Sequence, residues 1–231
     1  MKIYFLNLEK LKFTASLFDD YRIFLDEEDC ERLGKLRVAD VKRNFVFGRF
    51  LIRKNLSAIL DCAPGDIKLK KTKNGRPELD LVNCNFNAEL AQNLSFNISH
   101  AKDLVCLAVS QDKIGIDVEF KKERDFHKIA QEFFSEEEAE SLSNLFGDEL
   151  KNKFYTYWTL KESFVKCNGD SILNKNSLKT QNSSKNYQFF TYEIDDYIMS
   201  ITIKSTKIQT PKISEICLNP SVSQKKELKL I

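Results

Sequence analysis

Apolar side chains recur along this chain at two spacings, and the spacing predicts which segments are helices and which are strands. In residues 38–60 they recur every three to four positions, as on one face of a helix, whereas in residues 113–120 they alternate with polar side chains, as in a strand. The pattern predicts helices at 26–34, 38–60, 126–146 and 149–168, and strands at 2–8, 67–70, 94–99, 103–109, 113–120, 189–194, 197–203 and 213–218.

Polar segments predict where several of these elements begin and end. Ser135 followed by Glu138 matches a capping box, and Asn168–Gly169 is typical of the end of a helix. Residues 74–77 predict a turn, and the Ser-, Asn- and Lys-rich residues 174–186 predict a loop. The resulting order of helices and strands predicts an α+β protein.

Composition indicates a folded, globular protein of one large domain or two small ones. The 231 residues are 42% hydrophobic and 30% charged, which is typical of globular chains. Lys and Arg number 36 against 34 Asp and Glu, and this balance argues against a protein that binds nucleic acid by charge. No segment reaches the roughly 18 apolar residues of a membrane span, and the start of the chain lacks the apolar core of a signal peptide. We therefore expect neither a nucleic-acid partner nor a membrane.

The cysteine and histidine content narrows the chemistry further. The chain has only two histidines, His100 and His127, which excludes a zinc site built from several histidines. Its six cysteines form no CxxC pair. We interpret them as reduced, mostly buried thiols of a cytoplasmic protein.

A first candidate cluster is the strand segment 115–119, with the sequence GIDVE. Because side chains alternate along a strand, Asp117 and Glu119 share one face, and the apolar residues on either side share the other. Two such carboxylates suit Mg²⁺ together with phosphate and water ligands. A solvated acidic face on an amphipathic strand would give the same pattern.

A second cluster lies on the helix 149–168. Lys161 falls in the middle of its apolar arc, so we expect it to pair with an acid or to extend towards water. Glu162 and Lys166 lie at one edge of that arc, four residues apart. They are either an exposed ion pair or the rim of a cleft, where Glu162 could bind metal or act as a base and Lys166 could bind phosphate.

A third cluster is the strand end FNISH at residues 96–100. Ser99 and His100 are neighbours on a strand and point to opposite faces, so they are poorly placed to act as a nucleophilic pair. A phosphate-binding strand end and a structural histidine remain the alternatives. Neither of the two common glycine-rich phosphate-binding motifs, G-x-x-x-x-G-K-[ST] and G-x-G-x-x-G, occurs in the sequence. Any phosphate must therefore be held by side chains and metal.

Taken together, these clusters resemble one known family. The sequence contains, in this order, GRP at 75–77, FNISH at 96–100, GIDVE at 115–119 and WTLKESFVK at 158–166. This combination resembles the 4'-phosphopantetheinyl transferase superfamily, in particular its two-lobed Sfp-type branch, over about residues 1–205. The resemblance implies an α+β fold of two similar α/β lobes related by pseudo-twofold symmetry, at about 1–112 and 113–231, with the active site between them.

The resemblance also implies a reaction. Coenzyme A would bind in the cleft as co-substrate, with Mg²⁺ (Mn²⁺ as an alternative) on its diphosphate. A serine of an apo acyl or peptidyl carrier protein would attack the β-phosphate, take the phosphopantetheine arm and release adenosine 3',5'-bisphosphate. One chain would supply both walls of the cleft, so the resemblance implies a monomer.

Roles follow for individual residues of this sequence. The resemblance makes Asp117, Glu119 and Glu162 the metal ligands, with Glu162 also the base and Lys166 at the diphosphate. It places Ser99, His100 and Arg43 at the 3'-phosphate of coenzyme A and Arg76 at the nucleotide.

The chain also departs from the family pattern. Glu28 and Glu31 stand where some relatives carry lysines that reach the 3'-phosphate, with Lys35 or Arg37 as candidate replacements, and Ser171 stands where a glycine is usual. Two other functions stay open, a metal-dependent hydrolase that splits pyrophosphates and a non-catalytic docking module for carrier proteins.

Overall fold

The computed structural model describes residues 1–9, 11, 14–73, 75–82, 86–169, 186–216, 218, 229 and 230. Within these residues the strands are β1 (Lys2–Asn7), β2 (Leu69–Lys71), β3 (Pro77–Leu79), β4 (Ser95–Ala101), β5 (Leu104–Ser110), β6 (Lys113–Phe120), β7 (Tyr187–Ile194), β8 (Tyr197–Lys204), β9 (Lys212–Glu215) and β10 (Lys229–Leu230). The α-helices are α1 (Ala15–Tyr21), α2 (Glu27–Lys35), α3 (Ala39–Leu60), α4 (Ala88–Gln92), α5 (Phe126–Phe133), α6 (Glu136–Ser143) and α7 (Gly147–Asn168). The predicted α+β class is confirmed.

Two helices occupy the segment 126–146 that the pattern predicts to be helical, and the predicted capping box at Ser135 and Glu138 is confirmed. The backbone of Phe134 is extended, and the Ser135 side chain accepts the N–H of Glu138, so the capping box starts a new helix, α6. The short helices α1 and α4 were not predicted from the sequence. Ser171, most of the predicted loop 174–186, Cys84 and Cys217 lie outside the described residues.

The first sheet has the strand order β4-β5-β1-β9 and packs between α3 and the second sheet. Its central strand β5 is buried along its whole length because both faces are covered. Val105 and Leu107 contact the core that includes α3, whereas Leu104 and Cys106 face the second sheet.

The second sheet has the strand order β10-β7-β8-β6, and α7 covers its other face. The alternation predicted for residues 113–120 is confirmed: Ile114 and Ile116 pack against the first sheet, and Asp117 lies on the side of α7. β9 comes from the end of the chain but pairs in parallel with β1 of the first sheet. The division into lobes at 1–112 and 113–231, with its pseudo-twofold relation, stays a prediction.

The two sheets meet at their edges along β4 and β6. Three polar side chains at alternate positions of β4 accept backbone N–H groups of β6, where a further strand would otherwise pair. The pairs are Ser95 with Ile114 (3.3 Å), Asn97 with Ile116 (2.9 Å) and Ser99 with Val118 (3.3 Å). This junction fixes the end of β4 beside the acidic residues of β6.

No helix among the described residues is both long enough and apolar enough to span a bilayer. Cys30, Cys62, Cys106 and Cys167 are free thiols.

Candidate active site

A cleft of about 500 Å³ opens where β4, β6, α3 and α7 come together. Six residues predicted from the sequence line it: Ser99, His100, Asp117, Glu119, Glu162 and Lys166. A second cavity of about 690 Å³ adjoins the cleft and shares four lining residues with it, Gly75, Pro77, Ile98 and Lys166. Arg76 lines this second cavity, and Arg43 lines neither.

Gly115 allows α7 to pack directly on β6. A Cβ atom at this position would lie 2.0 Å from the carbonyl oxygen of Ser163 and 2.5 Å from the amide nitrogen of Cys167. Hydrogen bonds fix the helix in this place, because the hydroxyls of Thr159 and Ser163 contact those of Ser200 and Thr202 on β8, each at 2.7 Å. The close contact brings Glu162 and Lys166 over the acidic face of β6.

Asp117 is the most buried acid of the cleft, with 4% of its surface exposed. Its Oδ1 accepts hydrogen bonds from the Lys166 ammonium at 2.6 Å and from the Ser99 hydroxyl at 3.0 Å. Its Oδ2 is also buried and has no hydrogen-bond partner among the described residues. Burial raises the pKa of Asp117, although Lys166 and Ser99 act against this rise.

Glu119 and Glu162 add further negative charge to the cleft. Burial is the main cause that raises the pKa of Glu162 to about 7, and repulsion from Asp117 and Glu119 adds to it. Burial, followed by repulsion from Asp117, also raises the pKa of Glu119, while Arg124 at 3.9 Å opposes this. The three carboxylates therefore interact electrostatically and lack full compensation by the protein.

The donor set of this cleft suits a hard divalent cation. Carboxylate oxygens are the ligands that Mg²⁺ and Mn²⁺ prefer, and an orphaned carboxylate oxygen marks where a cation would be stabilised. Among the described residues, however, no group of three His, Cys, Asp or Glu side chains is placed closely enough to hold a metal ion as it stands. The structure thus supports the chemistry of the predicted ligand set without showing the site assembled.

Glu162 and Lys166 do not form the exposed ion pair that the sequence allowed. Lys166 directs its ammonium to Asp117 and Ser99 inside the cleft, and Glu162 is only partly open to solvent. Lys161 has the acidic partner that the sequence analysis expected, since its ammonium lies 2.7 Å from the buried carboxylate of Glu138. This pair ties α6 to α7.

Ser99 and His100 point to different surroundings, as neighbours on a strand should. The buried Ser99 hydroxyl contacts Asp117 and Lys166, so it does not pair with His100 as a nucleophile. His100 lies at the solvent-open surface of the cleft. Partial desolvation of its ring and the nearby charge of Lys166 lower the pKa of His100, so the imidazole is neutral near pH 7.

Arg76 joins two elements that flank the second cavity. One terminal nitrogen donates to the carbonyl of Lys166 on α7 at 2.6 Å, and the other donates to the carbonyl of Phe96 on β4 at 2.7 Å. Both terminal nitrogens thus hold main-chain atoms, a role that the sequence analysis missed. The predicted contact with a nucleotide stays a prediction.

Arg43 is not brought to the cleft. Its guanidinium donates to Asp103 at 2.6 Å. Arg43 precedes Phe45 by two residues, so its side chain leaves α3 about 200° away from that of Phe45.

One wall of the cleft is formed by Phe45, Arg49 and Arg32. Phe45 and Arg49, four residues apart on α3, share the face that lines the cleft, and Arg32 joins them from α2. The guanidinium carbons of Arg32 and Arg49 lie 5.1 and 5.0 Å from the centre of the Phe45 ring.

Neither Arg32 nor Arg49 was predicted from the sequence as part of the site. Neither Lys35 nor Arg37, the predicted replacements for the lysines of relatives, lines the cleft. The helical spacing of Phe45, Gly48 and Arg49 was the available signal for one wall of the site.

Two family models match the chain. One is described as the 4'-phosphopantetheinyl transferase superfamily and matches residues 113–209, where the acidic strand and α7 lie. The other is described as 4'-phosphopantetheinyl transferase, N-terminal, and matches residues 14–112. Between them they cover all eight predicted site residues.

Similar proteins carry the same description. The 4'-phosphopantetheinyl transferase HetI of Nostoc sp. is 30% identical over 159 residues, which cover 68% of this chain and 65% of HetI, just under two thirds of its length. The transferase gsp of Aneurinibacillus migulanus is 28% identical over 210 residues, or 82% of this chain and 83% of gsp. The transferase Sfp of Bacillus subtilis is 28% identical over 173 residues, or 74% and 72% of the two chains. The chain belongs to the 4'-phosphopantetheinyl transferase superfamily.

Proposed function

We propose that this protein transfers the 4'-phosphopantetheine arm of coenzyme A to a serine of an apo carrier protein. The observation that carries the proposal is the position of Asp117, Glu119, Glu162 and Lys166 in one cleft of a chain from this superfamily. Three partly uncompensated carboxylates and a lysine suit a diphosphate bound together with a divalent cation.

Asp117, Glu119 and Glu162 are the residues that would hold Mg²⁺, or Mn²⁺ in its place. The Oδ2 of Asp117, which has no hydrogen-bond partner among the described residues, and the raised pKa of all three acids support this ligand set. When bound, the ion would offset the negative charge of the diphosphate and of the transition state.

The remaining chemistry is assigned to side chains of the chain. The carrier serine Oγ forms a bond to the β-phosphorus, and the bond from that phosphorus to the bridging oxygen breaks, with adenosine 3',5'-bisphosphate leaving with the electron pair. Glu162, whose carboxylate lines the cleft beside the other two acids, accepts the serine proton. Lys166 donates to the diphosphate oxygens from the position where it now meets Asp117.

The wall formed by Arg32, Phe45 and Arg49 supports binding of the remaining phosphate and the nucleotide. Guanidinium groups suit phosphate oxygens, and the exposed Arg32 is the main candidate, because Arg49 is buried and its Nε already donates to Asp29 at 2.6 Å. The neutral His100 ring at the cleft surface can donate one hydrogen bond. We further propose a monomer that acts in the cytoplasm, with an acyl or peptidyl carrier protein as its partner.

Intact-mass analysis of several apo carriers, incubated with the protein, coenzyme A and Mg²⁺, tests the proposal. We expect each accepted carrier to gain the mass of one phosphopantetheine group. Cleaved coenzyme A beside unmodified carriers would favour the hydrolase instead, and intact coenzyme A with unmodified carriers would refute catalysis.

A pair of variants tests the role of Glu162. Glu162→Gln should abolish the mass gain, because it removes the proton acceptor. The exposed Glu149 at the other end of α7 provides the matched control, and Glu149→Gln should keep full activity. Full activity of Glu162→Gln would remove this residue from the mechanism.

A further inference from the structure

The hydroxyl of Ser99 is fully used by groups inside the protein. It accepts from the backbone N–H of Val118 at 3.3 Å and from the Lys166 ammonium at 3.1 Å, and it lies 3.0 Å from Asp117 Oδ1. Because the first two partners can only donate, its single proton must go to the carboxylate. A hydroxyl with one donor and two acceptor positions has none left for a phosphate.

The two oxygens of Asp117 therefore have different surroundings. Oδ1 is held by two donors, Ser99 and Lys166, whereas Oδ2 is buried and has no partner among the described residues. Donors behind one oxygen of a carboxylate fix its rotation and decide where the other oxygen points, as hydrogen bonds around metal ligands commonly do.

We propose that Ser99 is a positioning residue for Asp117, which holds the carboxylate through Oδ1 so that Oδ2 faces the divalent cation. This inference rests on the proposed function, and it replaces the 3'-phosphate role that the family resemblance gave to the Ser99 hydroxyl. It also makes the junction between the sheets part of the site, because Ser99 lies on β4 and Asp117 on β6.

Ser95 provides a matched control on the same strand. Its hydroxyl also accepts a backbone N–H of β6, that of Ile114 at 3.3 Å, but it does not line the cleft. Ser95→Ala and Ser99→Ala each remove one such contact between the sheets. Only Ser99→Ala removes a donor from the Asp117 carboxylate, so a difference between the two variants reports that contact.

Binding of Mn²⁺, followed by electron paramagnetic resonance with no carrier protein present, provides a readout separate from catalysis. We expect Ser99→Ala to weaken Mn²⁺ binding by about 10- to 100-fold, and Ser95→Ala to leave it within about threefold of the wild type. Ser99→Cys, which nearly keeps the volume with a poorer donor, should show a similar loss and serves if the alanine variant does not fold. Equal Mn²⁺ affinity of Ser99→Ala and Ser95→Ala would overturn the inference.

A second comparison separates this role from phosphate binding. In the presence of Mn²⁺, Ser99→Ala should weaken the binding of coenzyme A and of 3'-dephospho-coenzyme A by the same factor, because the metal site serves both. A loss confined to coenzyme A would place the hydroxyl at the 3'-phosphate and contradict positioning.

Failure of the proposed function would look different. If the wild-type protein binds Mn²⁺ no better than Asp117→Asn, with and without coenzyme A, the metal site itself is wrong. If the wild type binds Mn²⁺ through Asp117 but Ser99→Ala does so equally well, only the positioning role fails.

Discussion

Substitution of Gly115 by alanine should separate α7 from β6 and thereby disrupt the active site. The new Cβ would lie 2.0 Å from the Ser163 carbonyl oxygen, and real Cβ contacts are essentially never shorter than 3.0 Å. The strand and the helix must therefore move apart by about 1 Å, since both nearest atoms are backbone atoms that cannot rotate away.

Two magnitudes follow from this displacement. Overpacking of this kind costs about 1–3 kcal/mol, and we expect the upper end because backbone meets backbone. Alanine also lowers the conformational entropy of the unfolded chain, but this offsets only about 0.4–1 kcal/mol of the overpacking cost. A shift of about 1 Å between Asp117 and Glu162 should lower the rate of carrier modification by about 100-fold.

Urea unfolding and the initial rate of carrier modification measure these two effects. Gly65→Ala is the control, because a Cβ atom there meets nothing within 4 Å, and it should leave both quantities nearly unchanged. If Gly115→Ala kept wild-type stability and rate, the close packing of α7 on β6 would not be what assembles the site.

Three further predictions concern charged residues. In metal-free protein, the pKa of Glu162 is raised from 4.5 to about 7, so the protonated carboxyl favours the folded state below pH 4.5 and this contribution to stability is lost as the pH rises through 7. Glu162→Gln should therefore unfold at a higher urea concentration than the wild type at pH 8. An equal or lower midpoint would contradict this. Lys161→Met removes the ammonium that lies 2.7 Å from the buried carboxylate of Glu138 and should lower the free energy of unfolding by about 3–5 kcal/mol, measured in urea; a loss below about 1 kcal/mol would contradict a buried pair. Arg76→Met removes both bonds to main-chain carbonyls and should lower the free energy of unfolding by about 2 kcal/mol, whereas a purely nucleotide-binding arginine would leave it unchanged.

The acidic face of β6 could be predicted because strand alternation alone separates Asp117 from its apolar neighbours. The pairing of Lys161 could also be predicted, since an ammonium in an apolar arc needs a partner. The identity of that partner, Glu138, depended on how α6 docks on α7, which no local pattern contains.

Other parts of the site could not be read from residue patterns. Arg43 and Arg49 lie six residues apart on α3, yet only Arg49 lines the cleft, because the two side chains leave the helix in different directions. The engagement of Ser99 with Asp117 depends on two strand edges that meet only in the folded chain. The same holds for β9, whose pairing with β1 joins distant ends of the chain.

Calorimetric titration of coenzyme A, with and without Mg²⁺, tests most directly whether three acids of one cleft hold a cation on the diphosphate. The account predicts that Mg²⁺ tightens binding to the wild-type protein and has no such effect on Asp117→Asn, although that variant remains folded. Binding that is independent of Mg²⁺ in the wild type, or equally enhanced by Mg²⁺ in Asp117→Asn, would contradict it.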